Sequence, residues 1–143
     1  MITCHVRALS LDIGEKRIGL AISDSRQSIA QPLKVYTRIS PKRDIEEVKR
    51  LVKEHEVSTI VCGLPKNLDG SIGRKAEEIM AFAQKLEEAA QVHVELWDER
   101  FSTDEANRIF DMQEYTQKKR KAFIDMMAAQ IILQGFLDAH KKG

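Results

Sequence analysis

Hydrophobic and polar residues at the start of the chain alternate in short runs that predict β-strands. The segment from Leu9 to Asp24 predicts a strand, a short turn and a second strand, with Gly14 and Gly19 at either end of the turn. A third strand is predicted over Gln31 to Thr37, entered through Pro32. Three strands in series indicate an antiparallel meander.

Helical and strand patterns alternate in the middle of the chain. The spacing of apolar residues predicts one helix from Pro41 to about His55 and another from Arg74 to Ala90. The near-continuous apolar runs from Val57 to Leu64 and from Val92 to Trp97 predict strands covered on both faces, as in a parallel sheet. The stripe predicted to be buried on the second helix consists of Ala76, Ile79, Met80, Ala83 and Leu86.

Two further helices are predicted near the end of the chain. Ser102 and Glu105 have the spacing of a capping box, so a short helix should run to about Met112, before a break at Gln113 to Thr116. The last helix has its apolar body over Ile124 to Leu137. The order β-β-β-α-β-α-β-α-α predicts an α/β fold with a mixed sheet flanked by helices, the first strand central and the two late strands parallel to it.

Composition and charge add three limits. The length of 143 residues fits one domain, and 23 Lys and Arg against 22 Asp and Glu give a net charge of +1, so nucleic-acid binding would need a local basic patch. Cys4 and Cys62 lack metal-ligand spacing and the four histidines are scattered, which argues against a structural zinc site and suits a reducing cytosol. No segment has the pattern of a signal peptide or a membrane span, so we expect a cytoplasmic protein with no membrane partner.

Asp12 is the first candidate for chemistry. Alternation along the first strand puts Ser10 and Asp12 on one face and Leu11 and Ile13 at positions that alternate with them. A carboxylate in an apolar strand beside Gly14 fits the binding of a phosphate or a metal-bound phosphodiester. A plain hairpin with a solvent-facing aspartate is the alternative.

Asp125 is the second candidate. At about 100° per residue it shares a helix face with Ala129 and Phe136, the side expected to pack on the sheet. An ionised carboxylate there is costly unless it is paired or bound to metal, and a structural ion pair with Arg100 or Lys121 is the alternative. The polar residues on the opposite side are Gln130, Gln134 and Asp138.

A third carboxylate is expected from Asp98 or Glu99, which follow the last predicted strand. Successive strand residues point to opposite faces, so at most one of the two shares a site with Asp12. A cluster of Asp12, one of these acids and Asp125 favours Mg²⁺ or Mn²⁺, because both prefer hard oxygen ligands. Paired metal ions of this kind hydrolyse phosphodiesters in nucleases.

Two polar segments are candidates for phosphate contacts. Lys66 and Asn67 stand in a loop dense in turn residues, and an ordinary polar loop is the alternative. The run from Lys118 to Lys121 begins the last helix, where cations oppose the helix dipole, and this mild cost favours phosphate binding over a solvated helix start.

Four segments resemble, in the same order, the motifs of the YqgF (RuvX) family, bacterial proteins described as Holliday junction resolvases and as pre-16S rRNA nucleases. These segments are Leu11 to Asp24, Gly63 to Ser71, Trp97 to Thr103, and Lys119-Arg120-Lys121 leading to Asp125. The resemblance runs nearly end to end and implies one RNase H-like nuclease domain over residues 1–143.

The resemblance also implies roles for individual residues. Asp12, Glu99 and Asp125 would be the catalytic and metal-binding triad, with Asp98 as a possible neighbour. In the related RuvC resolvases the second acid follows the fourth strand, where this chain has Gly63-Leu64-Pro65, so here the fifth strand would supply it. The residues expected to contact nucleic acid are Arg17, Lys66, Asn67, Arg100, Lys118, Lys119, Arg120 and Lys121.

The leading hypothesis is a metal-dependent endonuclease that processes the 5′ end of pre-16S rRNA, as a monomer or a homodimer. Holliday junction resolution on branched DNA is the alternative substrate hypothesis. A nuclease-like RNA-binding adaptor with little catalysis is a second alternative. An actin-like ATP-binding domain, which also opens with an Asp-x-Gly hairpin, would need a second such domain, for which this chain lacks the length.

Overall fold

The computed structural model describes residues 7–65, 73–98 and 117–139, which form five strands and three helices. The strands are β1 (Arg7–Ile13), β2 (Arg17–Ser23), β3 (Ala30–Thr37), β4 (Val57–Leu64) and β5 (His93–Asp98). The helices are α1 (Pro41–His55), α2 (Arg74–Ala90) and α3 (Gln117–Ala139). The short helix predicted up to Met112 and the break after it lie outside the described residues.

The five strands form one mixed sheet in the order β3-β2-β1-β4-β5. β1 is central, antiparallel to β2 and parallel to β4, and β5 is parallel to β4. The predicted meander and parallel pair are therefore confirmed, as are the predicted bounds of α1, β4 and α2.

Each face of the sheet has its own apolar core, because strand residues alternate between faces. Leu9, Leu11 and Ile13 of β1 belong to the core beneath α1 and α2. Ala8 belongs to the core beneath α3. The buried helix residues of this second core are Ala129, Ile132, Leu133, Phe136 and Leu137, so the predicted packing of Ala129 and Phe136 on the sheet is confirmed.

Two burial predictions are wrong. Met80 is 40% exposed, because it lies at the edge of the α2 stripe, and Phe82 is buried in its place. β5 is not covered on both faces: it is the outermost strand of the sheet, and Leu96 is 37% exposed. It also continues past Trp97 to Asp98.

The polar side of α3 also contacts the sheet. Gln130 donates a hydrogen bond to the Ala30 carbonyl (3.1 Å). Gln134 accepts from the Ala30 amide (2.9 Å) and donates to the Ser28 carbonyl (3.1 Å). These two glutamines therefore dock α3 on the start of β3.

Both α1 and α2 end at a residue in the left-handed conformation. Glu56 (φ 54°) donates its amide to the Val52 carbonyl, and Gln91 (φ 57°) donates to the Glu87 carbonyl. Each helix thus stops where its last carbonyls are capped by the chain itself. Within the described ranges, no helix has the length and apolar character needed to cross a membrane.

Candidate functional site

Asp12 lies near the carboxyl end of the central strand, on the face covered by α3. Ser10, on the same face, is fully buried and its hydroxyl donates to the Ala129 carbonyl at 2.6 Å. Asp12 is two residues further along and is half-buried. The strand therefore presents this carboxylate at the rim of the second core.

Glycines flank Asp12 on both neighbouring strands. Gly19 of β2 pairs with Asp12 directly. On the other side Leu11 pairs with Cys62, so the next residue, Gly63, continues the register beside Asp12. Gly19 was predicted at the end of the turn but lies inside β2, which begins at Arg17. The carboxylate thus stands between two strand positions without side chains, which leaves space for a ligand on this face.

The turn after Asp12 is tightly closed. The Gly14 amide donates to the Arg17 carbonyl at 2.8 Å. A Cβ on Gly14 would stand 3.0 Å from that carbonyl oxygen, so a side chain here would require the turn to shift by a few tenths of an ångström.

The register of β5 separates its last two residues. Asp98 pairs with Leu64, a member of the core beneath α1 and α2, so Asp98 belongs to the sheet face opposite Asp12. Trp97 pairs with Gly63 and packs edge-on against Phe136, with ring centroids 5.9 Å apart, on the face of Asp12.

Helix α3 runs from the Asp12 end of the sheet toward the opposite end. Ala129 contacts Ser10, whereas Gln134 contacts the start of β3 at the far end. Residue 125 precedes Ala129 by one helical turn, about 6 Å along the axis. Asp12 is about 6.6 Å beyond Ser10 along the strand. The helix backbone at residue 125 therefore reaches the level of Asp12.

The structure brings two predicted site residues to one face and edge. Arg17 alternates with buried Ile18 and so shares the face of Gly19 and Asp12. Lys66, Asn67, Glu99 and Arg100 lie outside the described residues, as do the side chains of Lys118, Lys119, Arg120, Lys121 and Asp125. Among the described side chains, no three of His, Cys, Asp or Glu are grouped closely enough to hold a metal ion.

Sequence reasoning missed a buried acid beside the turn. Asp44 is fully buried, and its carboxylate accepts from Arg38 Nε at 2.9 Å and from the Ile39 amide at 3.1 Å. The signal was its helical spacing with the buried residues Val48 and Leu51, the same signal that singled out Asp125.

Asp24 was missed as a structural acid. Its carboxylate accepts from the Ile29 amide (3.0 Å) and from the amide and hydroxyl of Ser28 (2.8 and 2.9 Å). These hydrogen bonds, that of Ile29 first, lower the pKa of Asp24 to about 2. Burial raises the pKa of the Cys62 thiol to about 12, so Cys62 is a neutral core residue.

The chain matches the family described as "RuvX: Holliday junction resolvase" over residues 6–139. A relative from Thermoanaerobacter pseudethanolicus is 43% identical over 137 residues, which cover 95% of this chain and 99% of the relative. One from Halalkalibacterium halodurans is 47% identical over 135 residues, covering 93% and 96%. Both bear the provisional name pre-16S rRNA nuclease.

Solved structures agree on the fold. Fowlpox virus resolvase, in complex with Holliday junction DNA, has a TM-score of 0.62 at 15% identity, covering 96% of this chain and 100% of that chain. Thermus thermophilus RuvC, in complex with a Holliday junction substrate, has a TM-score of 0.61 at 14% identity, covering 94% and 95%. The predicted RNase H-like fold is thereby confirmed.

Proposed function

The chain belongs to the RuvX family, and from this membership we propose that it is a metal-dependent endonuclease that hydrolyses phosphodiester bonds in structured nucleic acid. The observation that carries the proposal is the position of Asp12. It is a half-buried carboxylate at the carboxyl end of the central strand, between Gly19 and Gly63. A phosphate group of a substrate can approach Asp12 there, because the two flanking strand positions are glycines without side chains.

Glu99 is the proposed second acid. The register of Asp98 with Leu64 supports this choice, because it assigns Asp98 to the opposite face of the sheet. Alternation would return the residue after Asp98 to the face of Trp97 and Asp12. Asp98 is accordingly proposed as a neighbour and not as a ligand.

Asp125 is the proposed third acid. The direction of α3 supports it, because the helix backbone reaches the level of Asp12 one turn before Ala129. The stripe that begins at Ala128 packs on the same sheet face. An acid that continues this stripe would stand where the second core meets the edge of the sheet.

The donor set fits Mg²⁺ or Mn²⁺, because carboxylate oxygens are the ligands that both ions prefer. Asp12, Glu99 and Asp125 would hold the metal, whose chemistry is the activation of water and the stabilisation of a departing oxygen. The chain itself places Asp12 on the central strand of the sheet, next to the apolar core beneath α3. Arg17, on the same face, would bind a substrate phosphate.

The remaining basic residues would extend the nucleic-acid contact beyond the acids. Lys66 and Asn67 would follow β4 and Arg100 would follow β5, at the edge of the sheet where Asp12 stands. Lys118 to Lys121 would line the first turns of α3. Cations arranged around an acidic centre orient phosphates without relying on the net charge of the protein.

The 5′ end of pre-16S rRNA is the proposed substrate, since the relatives that this chain matches end to end bear that name. The family description favours branched DNA as the second candidate. Maturation of ribosomal RNA takes place where ribosomes are assembled, so we propose a cytoplasmic location.

A side-by-side cleavage assay tests the proposal. Purified protein is given a 5′-extended 16S rRNA fragment and a four-way DNA junction, each with Mg²⁺, with Mn²⁺ and with chelator. We expect site-specific cleavage of the RNA with either metal and none with chelator. Cleavage of the junction and not of the RNA would identify branched DNA as the substrate. Specific RNA binding with no cleavage of either substrate would overturn the proposal in favour of an adaptor.

A further inference from the structure

We propose that Arg38 is a positioning residue that fixes the turn behind Asp12 and thereby sets how Asp12 is presented to its ligand. The inference rests on the proposed function for its link to metal binding. The claim that Arg38 fixes the turn rests only on the contacts of Arg38 and does not depend on metal binding.

Arg38 holds the β1–β2 turn by two separate contacts. Its Nη1 donates to the Gly14 carbonyl at 2.8 Å. Its backbone amide donates to the Lys16 carbonyl at 2.9 Å. Together with the Gly14 to Arg17 hydrogen bond, these contacts fix both halves of a turn that begins two residues after Asp12.

The guanidinium of Arg38 is itself held by contacts with α1 and α2. Its Nε donates to the carboxylate of Asp44, whose side chain has no exposure, while the Arg38 side chain is 23% exposed. The guanidinium also lies over the Phe82 ring, 5.6 Å from the centroid. Asp44 in turn begins the buried stripe of α1, so Arg38 connects the turn to the buried side of this helix.

Lysine would not replace this side chain. The planar guanidinium directs one N–H to Asp44 and another to the Gly14 carbonyl at the same time, and it lies over the Phe82 ring. An ammonium at the end of a flexible stem is a point charge without this fixed fork. Lysine would keep the charge of the buried pair and lose the simultaneous grip on the turn.

The first test measures the turn directly, by hydrogen exchange of the Gly14 amide. In Arg38→Met we expect this amide to exchange about tenfold faster, the change produced by losing roughly one net hydrogen bond. Arg50→Met is the matched control, because Arg50 forms its ion pairs with Glu47 and Glu54 of α1 and, among the described residues, makes no hydrogen bond to the turn. Equal exchange at Gly14 in both variants would overturn the proposal.

The second test measures metal affinity by titration calorimetry of full-length protein with Mg²⁺ alone. Loss of a residue that orients a ligand typically weakens metal binding about tenfold to a hundredfold. We expect Arg38→Met to weaken it by that factor and Arg38→Lys by less. Val48→Ala, which removes buried apolar atoms from the core beneath α1 but no hydrogen-bonding group, controls for general loss of stability and should bind Mg²⁺ as wild type does.

The two proposals fail in different ways. If wild type binds no divalent metal and cleaves nothing, the proposed function is wrong, and hydrogen exchange still decides whether Arg38 fixes the turn. If wild type binds metal and Arg38→Met matches it in affinity, Arg38 does not position Asp12. If Val48→Ala weakens metal binding as much as Arg38→Met does, the effect is one of stability and the positioning role is rejected.

Discussion

Asp12 and Asp98 show how a single residue step decides what a carboxylate can do. Both stand near carboxyl ends of parallel strands, where ligands of α/β sheets bind. Asp12 shares its face with Ser10 and α3, whereas Asp98 is aligned with Leu64 on the other face. Neighbouring residues of a strand point to opposite faces of the sheet, so a shift of one position changes the face on which a side chain lies. The chemistry of β5 is therefore expected from the next residue.

Glu99→Gln and Asp98→Asn test this assignment as a pair of charge-neutralising changes. We expect Glu99→Gln to abolish metal-dependent cleavage and Asp98→Asn to retain most of it, because Asp98 belongs to the opposite face and alternation would return the next residue to the face of Asp12. Initial cleavage rates at fixed Mg²⁺ are the measurement. The reverse order of activities would assign the second acid to Asp98.

Asp24 predicts a pH dependence of stability. Its pKa falls from the ordinary value of 3.8 to about 2 on folding, so its carboxylate stabilises the fold above pH 3.8 and the stabilisation is lost as pH falls through about 2. Glu47, whose pKa its hydrogen bond with Arg50 lowers to about 2, titrates in the same range. The difference between wild type and Asp24→Asn therefore isolates Asp24.

Urea unfolding of both proteins at about pH 5 and about pH 2.5 measures this difference. We expect Asp24→Asn to be less stable than wild type at the higher pH, with a smaller gap at the lower pH. A gap that stays constant would mean that the hydrogen bonds of Asp24 do not depend on its charge.

At the scale of elements, apolar periodicity was sufficient for most boundaries. α1, β4 and α2 begin and end where the sequence predicts, because both helices have a clear apolar period and β4 is a near-continuous apolar run that ends before Pro65. The place of β5 in the sheet was not predictable in this way. Buried strands and edge strands can both be apolar runs. β5 pairs with β4 on one side and has no strand on the other, so Leu96 lies at the edge of the sheet.

The end of α2 gives an element-scale prediction. Gln91 is exposed and adopts the left-handed conformation that costs an ordinary residue about 1 kcal/mol or more relative to glycine. We expect Gln91→Gly to raise the free energy of unfolding by about 0.5 to 1 kcal/mol. Gln84→Gly, the same exchange at an exposed position inside the helix, should lower it by about 1 kcal/mol. Chemical denaturation that ranks the two variants equally would contradict the capping account.

The whole molecule depends on contacts between distant segments, and these limit what the sequence predicts. Alternation along one strand was enough to predict that Asp12 and Leu11 lie on opposite faces of the sheet. The spacing of apolar residues along one helix was enough to identify Ala129 as part of its buried face. The Arg38 to Gly14 contact joins residues 24 positions apart, and the Gln134 contact with Ala30 joins residues 104 apart. No local pattern specifies such pairs, because they follow from how the sheet and helices pack.

Charge is also a property of the whole molecule. With a net charge of +1, binding should depend on local cations and not on a general field. Replacing Lys118, Lys119 and Lys121 by Gln should make the slope of log K against log salt shallower by about one unit per lost phosphate contact. Replacing Lys42, Lys49 and Lys53 of α1, on the opposite face, removes the same charge and should leave the slope nearly unchanged. Equal slopes in the two triple variants would mean that the lysines at the start of the last helix are solvated and do not contact phosphates.

The central claim is that Asp12 holds the metal that cleaves the substrate, and the cleavage rate of Asp12→Asn in Mg²⁺ tests it most directly. Asp24→Asn is the control, because it makes the same exchange at the far end of β2. We predict that Asp12→Asn folds normally and cleaves the rRNA precursor about a thousandfold more slowly or not at all, since metal ions contribute several kcal/mol to such reactions. Asp24→Asn should cleave at nearly the wild-type rate. A folded Asp12→Asn protein that cleaves as fast as wild type would contradict the account.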